Sequence, residues 1–130
     1  MTGSGDLALG AALGAVAMAT LVAVAADSST MDPVKISPQY YTVRLDNDRV
    51  RVLEWRLKPG GKEQMHGHPD GVVIILADAT LKSTSPDGTS TTTAYVNGDV
   101  KWRKALSHSL ENVGSTEAHA LAVELKSGAR

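Results

Sequence analysis

Gly60-Gly61-Lys62-Glu63-Gln64-Met65-His66-Gly67-His68 holds two of the four histidines in this 130-residue chain, one residue apart. Successive side chains of a β-strand point to opposite faces. A strand here therefore sets Gln64, His66 and His68 on one face, and Met65 and Gly67 on the other. Two imidazoles at that spacing reach one ion above the sheet, and Gly67 clears bulk between them. Imidazole nitrogen suits iron, zinc, copper and nickel. A His-x-His alone is common on polar surfaces, so its meaning depends on what surrounds it.

What surrounds it is a series of short strands. Upstream, Tyr41–Leu45 precedes the turn Asp46-Asn47-Asp48. Arg49–Leu57 (RVRVLEWRL) is rich in β-branched residues that alternate with charge, and Pro59-Gly60 ends it. Its apolar parity switches midway, from Val50 and Val52 to Trp55 and Leu57, which a β-bulge would explain. Downstream, Pro69-Asp70-Gly71 turns into the apolar run Val72–Leu76. Thr80–Ser83 and Thr89–Val96 flank Pro86-Asp87-Gly88, a hairpin signal. Asn97-Gly98 turns again, followed by Val100–Arg103, Leu106–Val113 and Ala118–Lys126. Many short strands at regular spacing point to an all-β barrel or sandwich. Its expected inward stripe includes Val73 or Ile74, Val100, Leu121 and Val123.

The third histidine completes a second segment, Gly98-Asp99-Val100 through His108 to Asn112. The two segments together resemble the paired motifs of the cupin superfamily. The first motif reads Gly, five residues, His-x-His, three or four residues, then Glu, and Gly60 and His66-Gly67-His68 match its start. The second reads Gly, five residues, Pro-x-Gly, two residues, His, three residues, Asn, and Gly98, His108 and Asn112 match it. The resemblance covers residues 41 to 126. It implies a small double-stranded β-helix (jelly-roll) barrel with a metal ion on His66, His68 and His108. Two departures stand out. The first motif's Glu would fall at position 72 or 73, and both are Val. The second motif lacks Pro-x-Gly and is one residue shorter. Without the Glu, the chain resembles the three-histidine cupins, which include thiol dioxygenases and diketone-cleaving dioxygenases that use non-haem Fe(II). The resemblance thus implies one divalent ion, Fe(II) first, with Mn, Ni or Zn as alternatives. Gln64 stands as a weak fourth ligand or as a hydrogen-bond partner of the ligands.

Composition narrows the remainder. There is no cysteine, so thiolate ligands, thiolate nucleophiles and disulfides are excluded. The net charge is −1, with no basic patch interleaved with aromatics, so nucleic acid is not an expected partner. Leu7–Ala26 carries no charge, and its Ala23-Val24-Ala25 has the small-residue pattern of a signal-peptide cleavage site. The segment reads as an export signal, which places the mature protein in the periplasm or outside the cell. Against this, residues 1–6 contain no Lys or Arg. The alternatives are a membrane anchor, or a helix packed on a domain that stays in the cytoplasm. Residues 27–39 read as a linker and 40–130 as the domain.

Several further residues carry two readings. Arg103 is either a carboxylate clamp or, preferred, an outward charge. Trp102 either lines the pocket or, preferred, packs in the core. Glu54 faces either solvent or the barrel mouth. His119 is expected at the surface or rim, and Tyr40 and Tyr41 over a barrel end or a dimer contact. A homodimer is expected, because a monomer leaves sheet edges open. Two functions follow. One is a metal-dependent enzyme, dioxygenase-like, acting on a small organic molecule. The other is a cupin module that binds a metal or small ligand without turnover. Metal binding is expected to weaken as pH falls through about 6.5, the ordinary histidine value.

Overall fold

The computed structural model describes residues 31–127. The apolar segment Leu7–Ala26 and its export reading lie outside them. Among the described residues no helix is long and apolar enough to cross a membrane. Nine strands follow one another: β1 (Tyr41–Asp46), β2 (Val50–Leu57), β3 (Lys62–His68), β4 (Gly71–Ile75), β5 (Ala79–Thr84), β6 (Ser90–Tyr95), β7 (Val100–Arg103), β8 (Leu106–Asn112) and β9 (Ala118–Leu125). They form two antiparallel sheets, ordered β1-β2-β9-β4-β7 and β3-β8-β5-β6. The strand pattern points to an all-β barrel or sandwich, and the sheets form the jelly-roll barrel that the motif resemblance implied. Gly88, in the β5–β6 hairpin, and Gly98, in the turn between β6 and β7, take positive φ, where a side chain would be strained.

Residues 31–40 are not a free tether. Asp32 caps a single helical turn, α1 (Pro33–Ile36), through its side chain to the Val34 amide. The Met31 carbonyl accepts from the Gly67 amide at 2.7 Å. The folded unit therefore includes residue 31, ahead of the boundary at residue 40 drawn from the sequence.

The core sits between the sheets. Leu53 and Leu57 are fully buried, with Trp55, Ile75, Leu81, Ala118 and Ala120 around them. Burying a leucine contributes about 1.5–3 kcal/mol. The inward residues of β9 are Ala118, Ala120, Ala122 and Glu124. This corrects the expected stripe. Leu121 and Val123 face outward, as does Val100 at 66% exposure, and only Val73 packs on the core. The sequence misleads here because the outer face of the five-stranded sheet is apolar too. Trp102, preferred in the core, is 57% exposed and borders the cavity beside His68 and His108.

The parity switch in β2 has a different cause from the expected bulge. All eight β2 residues pair in unbroken register with β9, and the irregularity lies in β1, between Val43 and Leu45. The inward position that should be apolar is Arg51, which is paired with Asp32 and Glu124.

Candidate metal centre

His66 and His108 are directly opposite each other on adjacent strands β3 and β8, and His68 is two residues along β3. The three side chains are buried, with ring centroids 4.7–5.4 Å apart. No fold-back across the barrel is needed to bring His108 to the pair, because it is a cross-strand neighbour in the same sheet.

Each imidazole is fixed through Nδ1. His66 Nδ1 donates to the Gln64 carbonyl at 2.7 Å. His68 Nδ1 donates to Glu124 Oε2 at 2.9 Å, across the barrel from β9. His108 Nδ1 bonds the Ser83 hydroxyl of β5 at 3.1 Å. A carbonyl and a carboxylate only accept, so the first two rings carry their proton on Nδ1 and keep the Nε2 lone pair. His108 Nε2 is buried with no partner among the described residues. An orphaned buried polar atom costs about 1–3 kcal/mol. Three imidazoles each engaged at Nδ1, with the Nε2 atoms of His66 and His68 carrying lone pairs and that of His108 without a partner among the described residues, make a donor set that a divalent ion could take. The residues fit the metal that the motif resemblance implies.

The protonation states agree with this. Burial pushes His66 down to about 4 and His108 to about 2, and neighbouring positive charge, including Arg103, adds to it. His68 is lowered as well, by burial first. The site is therefore neutral and ready to ligate well below pH 6.5. Protons compete for it later than the ordinary histidine value predicts.

Gln64 is not part of the site as expected. Its side chain is exposed. The register of β3 slips between Glu63 and His66, so one extra residue turns Glu63 inward instead. The contribution of Gln64 is its backbone carbonyl. Glu63 is buried and accepts from Trp55 Nε1 at 2.9 Å and from the Tyr41 hydroxyl at 2.5 Å. Burial raises its carboxyl to about 7, against the pull of those two bonds. The Tyr41 oxygen lies 3.4 Å from His66 Nε2, at the edge of the site. Burial, with Glu63 alongside, pushes the phenol above its ordinary value, so it keeps its proton. Tyr41 thus borders the histidine cluster, where the sequence suggested a barrel-end cover or a dimer contact.

Among solved structures, the chain is similar to a cupin domain from Bordetella pertussis, with 35% identity and a TM-score of 0.62 over 67% of this chain and 92% of that one. It is 38% identical to the β-alanine degradation protein BauB of Pseudomonas aeruginosa, over 65% of this chain and 90% of the relative. The chain belongs to the cupin superfamily. No protein-family model matches it. A double-stranded β-helix protein from Klebsiella pneumoniae shares the fold at 20% identity and a TM-score of 0.56, over 69% of this chain and 78% of that one.

As a cupin it keeps three clustered histidines that could hold a metal ion. Val73, at a position where the first motif can place Glu, lines an apolar cavity of about 250 Å³ beside His68 and His108. Of the inward carboxylates, Glu124 holds the back of the His68 ring, and Glu63 Oε1 lies 3.4 Å from His66 Nδ1. Glu54 lies outside, bonded to His119 at 2.8 Å and paired with Arg44 and Arg56. His119→Ala and Gln64→Ala are therefore expected to leave metal content unchanged and stability within about 0.5 kcal/mol. Elemental analysis and thermal melts check both.

Glu124 carried no sequence signal beyond its place in an alternating strand. Arg103 had one. Both Lys101 and Arg103 line the cavity, and β4 sets Gly71 opposite Arg103 on one side and Glu124 on the other. Arg103, expected to face solvent, faces the site. The parity assigned to β7 was inverted, because its apolar residues are the outward ones.

Proposed function

We propose that this cupin is a mononuclear metal-dependent enzyme, dioxygenase-like, that acts on a small organic molecule with Fe(II) at its three-histidine centre. The observation that carries this is the cluster itself: three buried imidazoles with Nδ1 engaged, beside a cavity sized for a small ligand. The name of the relative BauB, tied to β-alanine degradation, supports a small metabolite as substrate. A divalent ion held by His66, His68 and His108 supplies Lewis acidity and, as Fe(II), a redox-active centre.

The chain's own groups do the remaining work. Val73, Ile75, Leu81 and Leu110 wall the cavity and exclude water. The Tyr41 hydroxyl, held by Glu63, places a neutral hydrogen-bonding group at the edge of the histidine cluster. Glu124 and the Gln64 carbonyl fix the rings of His68 and His66. A second reading, a binding module without turnover, has one observation behind it. Glu63, the inward carboxyl with a raised pKa, is tied to Tyr41 and Trp55 and does not line the cavity.

Chelator-stripped protein offered Fe(II), Mn(II), Ni(II) or Zn(II) is expected to reload to about one ion per chain. With Fe(II), an oxygen-uptake screen over thiols, diketones and small acids is expected to give turnover. No stoichiometric metal overturns the reading. Stoichiometric metal with no consumption of any substrate favours the binding module.

A further inference from the structure

Arg103 has no role in holding the fold together that the described residues reveal. Its Nε and Nη2 are buried, and among the described residues neither finds an acceptor. These are the two donors on one edge of the guanidinium, the edge that grips a carboxylate in parallel, bidentate fashion. The buried carboxylates among the described residues, Glu63 and Glu124, are engaged elsewhere. Glu63 bonds Tyr41 and Trp55, and Glu124 bonds Arg51 and His68. Gly71, between Arg103 and Glu124 in the strand row, adds no side chain there. A Cβ at Gly71 would lie 2.2 Å from the Val123 carbonyl oxygen.

The guanidinium lies in the wall of the same cavity as His68 and His108, and its charge helps hold down the proton affinity of all three histidines. A buried cation without a counter-ion is costly. A metal ion at the histidines would add further positive charge, so the cavity lacks an anion. Lys101 does not replace Arg103 in this role, because it is exposed and its ammonium lies over the Tyr95 ring, 5.7 Å from the centroid.

We infer that Arg103 is the substrate-recognition residue and that the substrate is a small carboxylate, held by the Nε–Nη2 edge with its other end towards the histidine cluster. This deepens the metalloenzyme reading and rests on it. The flat two-oxygen geometry of a carboxylate matches that edge, and the apolar walls suit a short carbon chain.

The test uses calorimetric titration of the full chain, metal-free and Zn(II)-loaded, with malonate, propionate, propionamide and inorganic phosphate. Wild type is expected to bind the carboxylates more tightly than propionamide and phosphate. Arg103→Gln is expected to weaken carboxylate binding by about tenfold or more, with Arg103→Lys in between. Bound metal in Arg103→Gln should equal wild type, and its ligand-free melting temperature should be equal or higher, because an unpaired buried charge is gone. Equal malonate affinity in wild type and Arg103→Gln overturns the assignment, as does a preference for phosphate or no carboxylate binding by wild type. Should Arg103→Gln fail to fold, Arg103→Lys carries the same comparison. Failure to take up metal, with Arg103-dependent carboxylate binding intact, sinks the metalloenzyme reading and leaves Arg103 as the anion site.

Discussion

Alanine at any one of His66, His68 or His108 is expected to remove most of the bound metal while the barrel still folds. Each ring contributes one nitrogen to a cluster whose ligand atoms all lie within 4.8 Å of one another. Changes to the partners behind a ligand typically cost about 10–100-fold in metal affinity or activity, and loss of a ligand itself should exceed that. The barrel is expected to survive because its most deeply buried core residues, Leu53 and Leu57, lie away from the cavity the histidines line. Elemental analysis after dialysis against a weak chelator, with circular dichroism alongside, reads both quantities. Retention of the ion by all three variants would refute the site.

The same variants predict an acid signature in metal-free protein. The folded His66 and His108 are depressed to about 4 and about 2, whereas in the unfolded chain they take up protons near 6.5. The unfolded state therefore binds more protons below about 6.5, and stability falls as pH drops from there. It is fully present above that value and is eroded towards pH 4. His108→Ala removes the most strongly depressed group, along with its orphaned Nε2. Its stability should therefore depend less steeply on pH than that of wild type. Denaturant melts at pH 7.5, 6 and 5 compare the slopes.

The sequence and the structure agree on the elements and part on which way residues face. All nine strands were legible, because turn residues and β-branched runs mark them locally. The clustering of His66, His68 and His108 was legible because a single family motif pair places all of them. What misled was parity. A period of two assigns every side chain of a strand from one choice of face, so one extra residue reverses the assignment. The slip in β3 exchanged Gln64 for Glu63. In β7 the apolar outer face reversed the reading of Trp102 and Arg103. In β2 the inward Arg51 imitated a bulge. Each error fell where the inward face of a strand carries charge. Charge on the inside is what the site requires, and alternation of apolar residues cannot display it.

Glu124 shows how much depends on such a residue, and Glu124→Ala is expected to be the most destabilising of the polar changes. Its side chain is 3% exposed. It accepts from Arg51 Nε at 2.9 Å and Nη2 at 2.8 Å, and from His68 Nδ1 at 2.9 Å. Burial alone would raise its carboxyl, but the bonds from His68 and Arg51 outweigh that and hold it below the ordinary value. Removing it leaves Arg51 with only Asp32 and leaves the His68 Nδ1–H facing an empty volume. Breaking one side of a buried ion pair costs about 3–5 kcal/mol. In a domain of this size each kcal/mol moves the melting temperature by about 4–8 °C, so a fall on the order of 15 °C or more is expected. Metal affinity should fall with it by about 10–100-fold, because His68 is no longer oriented. Glu124→Gln separates the two effects. It keeps the volume and an acceptor for His68 but loses the charge facing Arg51, so it should recover more metal binding than stability. The contribution of the charge is present above about pH 4.3 and fades as pH falls below it. The wild-type advantage over Glu124→Gln should therefore shrink between pH 5 and pH 3. Equal melting temperatures for wild type and Glu124→Ala at pH 7 would show that Glu124 does not hold the two sheets together.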